Sequence, residues 1–113
     1  MDYSKLKNRW QREYEQRGLI SKELREKILF HGKKVFLSYG IQRVVLFGSI
    51  AKGRATEKSD IDIIVFGLEK DKYWRFKSEI EEATGKTVDV YTDQDDPIFV
   101  GKQLAKGEII YEA

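Results

Sequence analysis

Two short β-branched runs, IQRVVLF at 41–47 and DIDIIVF at 60–66, constrain the fold more than any other feature of this chain. The first is apolar nearly throughout and stops at Gly48, as expected of a strand covered on both faces. The second reads as another strand, and it opens on two aspartates. Side chains two positions apart in a strand share a face, so Asp60 and Asp62 stand together while Ile61 and Ile63 point the other way. A sheet with apolar residues on both faces needs helices to cover it, and the flanking sequence supplies them.

Tyr3, Leu6, Trp10 and Tyr14 recur at helical spacing over residues 3–17, with Gly18 as a stop. Ser21 then caps a second helix with Leu24, Ile28, Val35 and Tyr39 as its apolar stripe and Gly40 as its end. Gly32 is an unfavourable residue in the middle of that helix. After Gly48–Ser49, SIAKG winds one or two helical turns before the polar loop RATEKS. Tyr73, Phe76, Ile80 and Ala83 mark a helix closed by Gly85, and TVDVY is a third strand. Asp96–Pro97 caps and opens a short helix to about residue 105, and EIIYE ends the chain as a strand. The expectation is one α/β domain over 1–113, a small mixed β-sheet flanked by helices, with N-terminal helices at 1–40 and an α/β core at 41–113.

A chain of 113 residues suits a single core, and 41% hydrophobic against 35% charged residues separates it from disordered or fibrous sequences. Cysteine is absent, which removes disulfides and thiolate metal sites and makes an intracellular setting the simplest reading. The N-terminus MDYSKLKNRW lacks the apolar stretch of a signal peptide, and no apolar run approaches the ~20 residues that span a bilayer, so a cytoplasmic protein is expected. Residues 1–40 carry ten Lys/Arg against five Asp/Glu, and 41–113 carry eleven against fourteen. The front is basic, but its charges alternate in sign as on a solvated helix, so nucleic-acid contact is the less favoured reading.

The chemistry lies in the two runs and the link between them. Paired carboxylates near a sheet interior repel each other and raise at least one pKa unless a cation neutralises them. With oxygen donors only and no nearby His or Cys, Mg²⁺ or Mn²⁺ fits best. Such an ion keeps positions open for phosphate oxygens, and Gly48 and Ser49 can hold a phosphate: glycine admits close approach, and Ser49 offers a hydroxyl and main-chain N–H groups at a helix start. Gly53 permits a tight exit from that turn, and Lys52 and Arg54 can add positive charge.

The full stretch GSIAKGRATEKSDIDIIV, with Gly48–Ser49, Gly53 and then Ser59–Asp60–Ile61–Asp62, resembles the signature of the DNA polymerase beta-like nucleotidyltransferases, in particular the short minimal nucleotidyltransferases of antitoxin type. TVDVY and KGEIIYE are similar to the rest of that catalytic core, so residues 30–113 are covered and the first helix is not. The resemblance implies transfer of a nucleoside monophosphate, AMP from ATP first of all, to an acceptor hydroxyl with two metal ions. Gly48, Ser49, Gly53 and Ser59 would then hold the triphosphate, with Lys52 and Arg54 beside it. Asp60 and Asp62 would ligate both ions, and a third carboxylate on a neighbouring strand would complete the second ion's site. Asp89 is the candidate, because a charge between Val88 and Val90 in a strand needs a reason; Asp96 is better explained as a cap. Many members carry an aromatic residue or Arg where this chain has Ile50, so any ligand contact from that side chain is missing or moved.

The resemblance also implies a partner. Larger members append helical domains that recognise the acceptor, and a chain this short leaves that task to a second copy or to a partner protein. Minimal members are often paired with a small HEPN-type toxin and add AMP to its tyrosine, and that antitoxin role is the first expectation. The alternatives are a non-catalytic module that masks its partner or binds nucleotide by contact alone, and transfer to RNA or a small molecule. His31, the only histidine, is expected to be structural or exposed. Trp10, Trp74 and the tyrosines are expected to cover a core rather than stack on a base.

Overall fold

The computed structural model describes residues 4–113; Tyr3, at the head of the expected first helix, lies outside them. The elements are α1 (Ser4–Ser38), β1 (Arg43–Phe47), α2 (Gly48–Ala51), β2 (Ile61–Phe66), α3 (Tyr73–Thr84), β3 (Val88–Thr92), α4 (Pro97–Lys106) and β4 (Glu108–Glu112), with one 3-10 turn at Lys70–Lys72 before α3. The strands form one mixed sheet in the order β3-β2-β1-β4. β1 runs antiparallel to both β2 and β4, and β2 runs parallel to β3. The chain is thus a mixed α/β protein around a four-stranded sheet, as the sequence led us to expect.

The expected pair of N-terminal helices is a single helix of 35 residues. At 1.5 Å per residue it is about 52 Å long, and it sets the longest dimension of a molecule measuring 60 × 29 × 21 Å. Gly18 does not stop it, because this glycine is not among those with positive φ. A glycine stop needs the left-handed conformation; a glycine in ordinary helical geometry costs only about 1 kcal/mol relative to alanine. Ser21 is not a cap either: it is buried, and its hydroxyl donates to the Arg17 carbonyl one turn back at 2.7 Å. A Cβ on Gly18 would meet nothing within 4 Å. Gly18→Ala is therefore expected to raise stability by about 1 kcal/mol, read as a higher urea midpoint; a lower midpoint would mean that the helix breaks there.

The helix also differs from expectation in what it covers. Leu24, Ile28, Gly32 and Phe36 are its buried positions beyond Ser21, whereas Leu6, Trp10 and Tyr14 are exposed. Trp10 and Trp74, at 62% and 75% exposed, cover no core. Among the described residues the front of α1 lies over no core residue; Trp10 and Tyr14 only border Gly53 and Arg54. Gly32 has a packing reason, since a Cβ there would stand 3.0 Å from Phe36 Cζ and 3.1 Å from Ile80 Cδ1. Its absence of side chain lets α1 and α3 approach closely.

Alternation along the strands sorts the core into two layers. Val44 and Leu46 of β1, Ile61, Ile63 and Val65 of β2, and Val88 and Val90 of β3 pack with Leu24, Ile28 and Phe36 of α1 and Phe76 and Ile80 of α3. The opposite face carries Val45, Phe47 and Ile64 under Val100 of α4, with Phe66, Tyr91 and Phe99 alongside. Asp62 and Asp89 belong by parity to this second, thinner layer.

The outer edge of β3 is closed by side chains. Lys77 Nζ donates to the Val88 carbonyl at 2.6 Å, Glu81 Oε2 accepts from the Val88 N–H at 3.0 Å, and the Tyr73 hydroxyl donates to the Val90 carbonyl at 2.6 Å. Asp95 Oδ2 accepts from the Thr92 N–H at 2.7 Å. Pairing of this edge with another strand would have to displace these contacts, which protects the strand that carries Asp89. Among the described residues no helix is long and apolar enough to cross a membrane.

Candidate active site

Register brings the acids together. Phe47, the last residue of β1, lies opposite Asp62 in β2, and Asp62 lies beside Asp89 in β3. Neighbouring strands are about 4.8 Å apart, so two aspartates paired on one face cannot avoid each other. Asp62 is pushed up to about 6 by burial first, then by the Asp89 charge, by a hydrogen bond shared with Asp89, and by the Asp60 charge. Asp60 precedes the strand and is exposed, so it acts on Asp62 as a neighbouring charge. Asp93, Asp95 and Asp96 belong to the next turn, and Asp96 Oδ1 caps α4 through the Ile98 N–H at 3.0 Å, as expected.

Gly48 joins the turn to the acids more tightly than the sequence suggested. Its φ is +77°, and a Cβ on it would lie 2.5 Å from Asp62 Oδ2. The position needs glycine twice, for a left-handed backbone and because the carboxylate occupies the side-chain space. The turn holds Ser49 at the start of α2, where first-turn N–H groups have no partner within the helix. Ser49 Oγ donates to Ser59 Oγ at 3.4 Å, and Ser59 Oγ accepts from the Thr56 N–H at 2.8 Å. Gly53, at φ +69°, turns the chain out of the helix. Lys52 and Arg54 are exposed, and among the described residues their side chains have no acidic partner. Arg54 and Gly53 border a crevice with Trp10, Tyr14 and Arg17 of α1. Ile50 is buried in the main core, so the departure noted in the sequence removes this side chain from any ligand. His31 is exposed and stands edge-on to Phe30, away from the turn.

Sequence reasoning passed over Tyr91. It stands two positions after Asp89 on the same face and packs on Phe47 and Phe99 at centroid distances of 5.5 and 5.0 Å. Burial, then the charges of Asp89 and Asp62, push its phenol up, so the hydroxyl stays protonated beside the acids. Strand parity alone could have flagged it. The missed tie of Ser21 to the loop before Asp60 could not have been found, since it joins residues 34 apart.

The donor set fits a hard divalent cation. It offers oxygen only, and Asp62 and Asp89 relieve their repulsion either by sharing a proton or by accepting a cation. Among the described residues no group of three potential ligands is gathered closely enough to hold an ion; the close pair is Asp62 with Asp89, and Asp60 is an exposed neighbouring charge. The linkage has a readable sign. Asp62 titrates higher folded than unfolded, so the folded state binds the extra proton, and its penalty, present above pH 6, is relieved as pH falls from 6 toward 4. Because the group is half-exposed, solvent screening reduces the effect to about 1 kcal/mol. Glu108 acts oppositely: its bond to Arg25 lowers its pKa, and that stability is lost at lower pH. The metal-free protein is expected to gain stability between pH 7 and 5, measured by urea unfolding, and to lose that gain on Asp62→Asn.

Comparison with known proteins places the chain. The family model described as Polymerase beta, Nucleotidyltransferase matches residues 31–113, and this protein belongs to that family. It is a nucleotidyltransferase. A Methanocaldococcus jannaschii protein named as a protein adenylyltransferase is 42% identical over 73 residues, spanning 62% of this chain and 74% of the relative. A second relative of the same name and organism is 32% identical over 71 residues, or 63% and 81% of the two chains. Among solved structures, one described as a minimal nucleotidyltransferase shares 27% identity at a TM-score of 0.60, covering 96% of this chain and 95% of that one. A toxin–antitoxin crystal structure with AMP-PNP gives a TM-score of 0.64 at 23% identity, over 79% and 73%, and so speaks for the fold.

Proposed function

We propose that this protein transfers AMP from ATP to a hydroxyl group of a partner protein, with Asp60, Asp62 and Asp89 holding Mg²⁺ and Gly48–Ser49 holding the triphosphate. The observation that carries the reading is the pairing of Asp62 with Asp89 directly against Gly48, which sets a carboxylate cluster and a phosphate turn within contact of each other. When bound, the ions supply charge neutralisation at the entering and departing oxygens. In the transfer the acceptor oxygen bonds to the α-phosphorus, the bridge to the β-phosphate breaks, and pyrophosphate leaves. In this reading Asp89 takes the acceptor's proton on its carboxylate. Ser49, Ser59 and the turn's N–H groups orient the triphosphate, Lys52 and Arg54 add attraction from the exposed rim, and Tyr91 offers a hydroxyl donor on the same face.

ATP as donor is supported by the names of the Methanocaldococcus relatives and by the AMP-PNP complex among the structural neighbours. A HEPN-type partner is supported by the same group of folds, which includes an MNT antitoxin in complex with a tri-AMPylated Shewanella oneidensis HEPN toxin, at a TM-score of 0.58 and 20% identity. The proposed acceptor is a tyrosine of such a toxin, the chain acting as its antitoxin. The test uses ATP labelled at the α-phosphate with Mg²⁺, the protein and a co-expressed HEPN-type protein. Label on the partner's tyrosine, absent with Asp60→Asn/Asp62→Asn, is the expected result. Partner inhibition without label, equal in parent and variant, would instead establish masking by contact.

A further inference from the structure

Two polar residues are buried among the described part of the chain, Thr84 and Ser21. Thr84 donates to the Ile80 carbonyl of its own helix, an ordinary local contact. Ser21 does more: besides donating to the Arg17 carbonyl, its hydroxyl accepts from the Ala55 N–H at 2.9 Å across the core. Ala55 is fully buried, so that N–H has no water to turn to. The segment it belongs to is tied to the phosphate turn at both ends. The Arg54 N–H donates to the Ser49 carbonyl at 2.8 Å, and the Thr56 N–H holds Ser59 Oγ, which accepts from Ser49 Oγ. Asp60 follows Ser59 directly.

We infer that Ser21 is a positioning residue for nucleotide binding: from helix α1 it fixes the Arg54–Ser59 segment, and through that segment the Ser49 and Ser59 hydroxyls. The assignment rests on the nucleotide role given above to Gly48–Ser49. It extends the binding apparatus to a residue outside the 31–113 match to the family. Alanine at this position strands a buried N–H, and the segment then has to shift to find water or another acceptor. The hydroxyls it carries leave their places even though Ser21 touches no ligand.

The test compares the parent, Ser21→Ala, Ser21→Thr and the core variant Ile80→Val, which matches a packing loss away from the turn. Binding of the fluorescent analogue mant-ATP with Mg²⁺ is titrated, and amide hydrogen exchange is followed at Ala55 and Thr56. Ser21→Ala is expected to weaken mant-ATP binding about tenfold and to speed exchange at both amides. Ser21→Thr, which keeps the hydroxyl, should restore both, and Ile80→Val should change neither. Parent-like affinity or exchange in Ser21→Ala overturns the inference, as does an equal affinity loss in Ile80→Val. A parent that binds no mant-ATP overturns the nucleotide reading itself and this inference with it.

Discussion

Asp62→Asn is expected to erase nucleotidyl transfer, by about 10³-fold or more in kcat, while making the metal-free protein more stable by about 1 kcal/mol. The two effects have one cause. The carboxylate is half-buried against Asp89, and its charge is raised in energy by burial, by that neighbour and by Asp60. Asparagine has the same shape, removes the repulsion and cannot supply an anionic oxygen to a cation. Asp89→Asn should match it in activity loss. A variant that gains stability as it loses activity separates a functional acid from a structural one, because removal of a structural hydrogen-bonding group costs stability. Thermal unfolding and label transfer on the same preparations check both halves. Loss of stability in Asp62→Asn would show that the acid supports the fold.

Gly48→Ala carries the second large expectation: a loss of transfer of about a hundredfold or more and a stability loss of about 1–2 kcal/mol. The backbone φ of +77° disfavours any L side chain, and the new Cβ would stand 2.5 Å from Asp62 Oδ2, so the carboxylate has to move. The mechanism can be checked by a cycle. With Asp62→Ala already in place, the clash is gone and Gly48→Ala should cost less stability than in the parent, only the backbone strain remaining. Equal costs in the two backgrounds would mean that the carboxylate does not press on this glycine.

Legibility followed locality. β1 and β2 were readable because β-branched runs end at a glycine or begin at a polar loop. Asp60, Asp62, Gly48 and Ser49 could be named as candidates from sequence because all lie in one continuous stretch. Gly85 and Asp96–Pro97 fell at helix ends as anticipated, with Gly85 at φ +68°. The N-terminal half-helix was misjudged for a physical reason: a glycine breaks a helix only where the backbone turns left-handed, and a sequence does not show which conformation it takes. The exposed stripe of Trp10 and Tyr14 was misjudged because helical periodicity predicts an apolar face but not whether anything of the same chain lies beneath it. Asp89 could be named as a candidate only through the resemblance and its place between Val88 and Val90, since its pairing with Asp62 depends on a parallel register that neither segment encodes alone. The Ser21–Ala55 tie, which depends on the long helix crossing the loop, was beyond reach for the same reason.

In the proposed function an anionic pair would accept a cation beside a turn that would accept phosphate. Calorimetric titration of ATP into the protein, with and without Mg²⁺ and at pH 6, measures this most directly. We predict binding that requires Mg²⁺, releases protons as Asp62 gives up its share, and vanishes in Asp60→Asn/Asp62→Asn. Binding of ATP that is the same without Mg²⁺ and the same in that variant would contradict it.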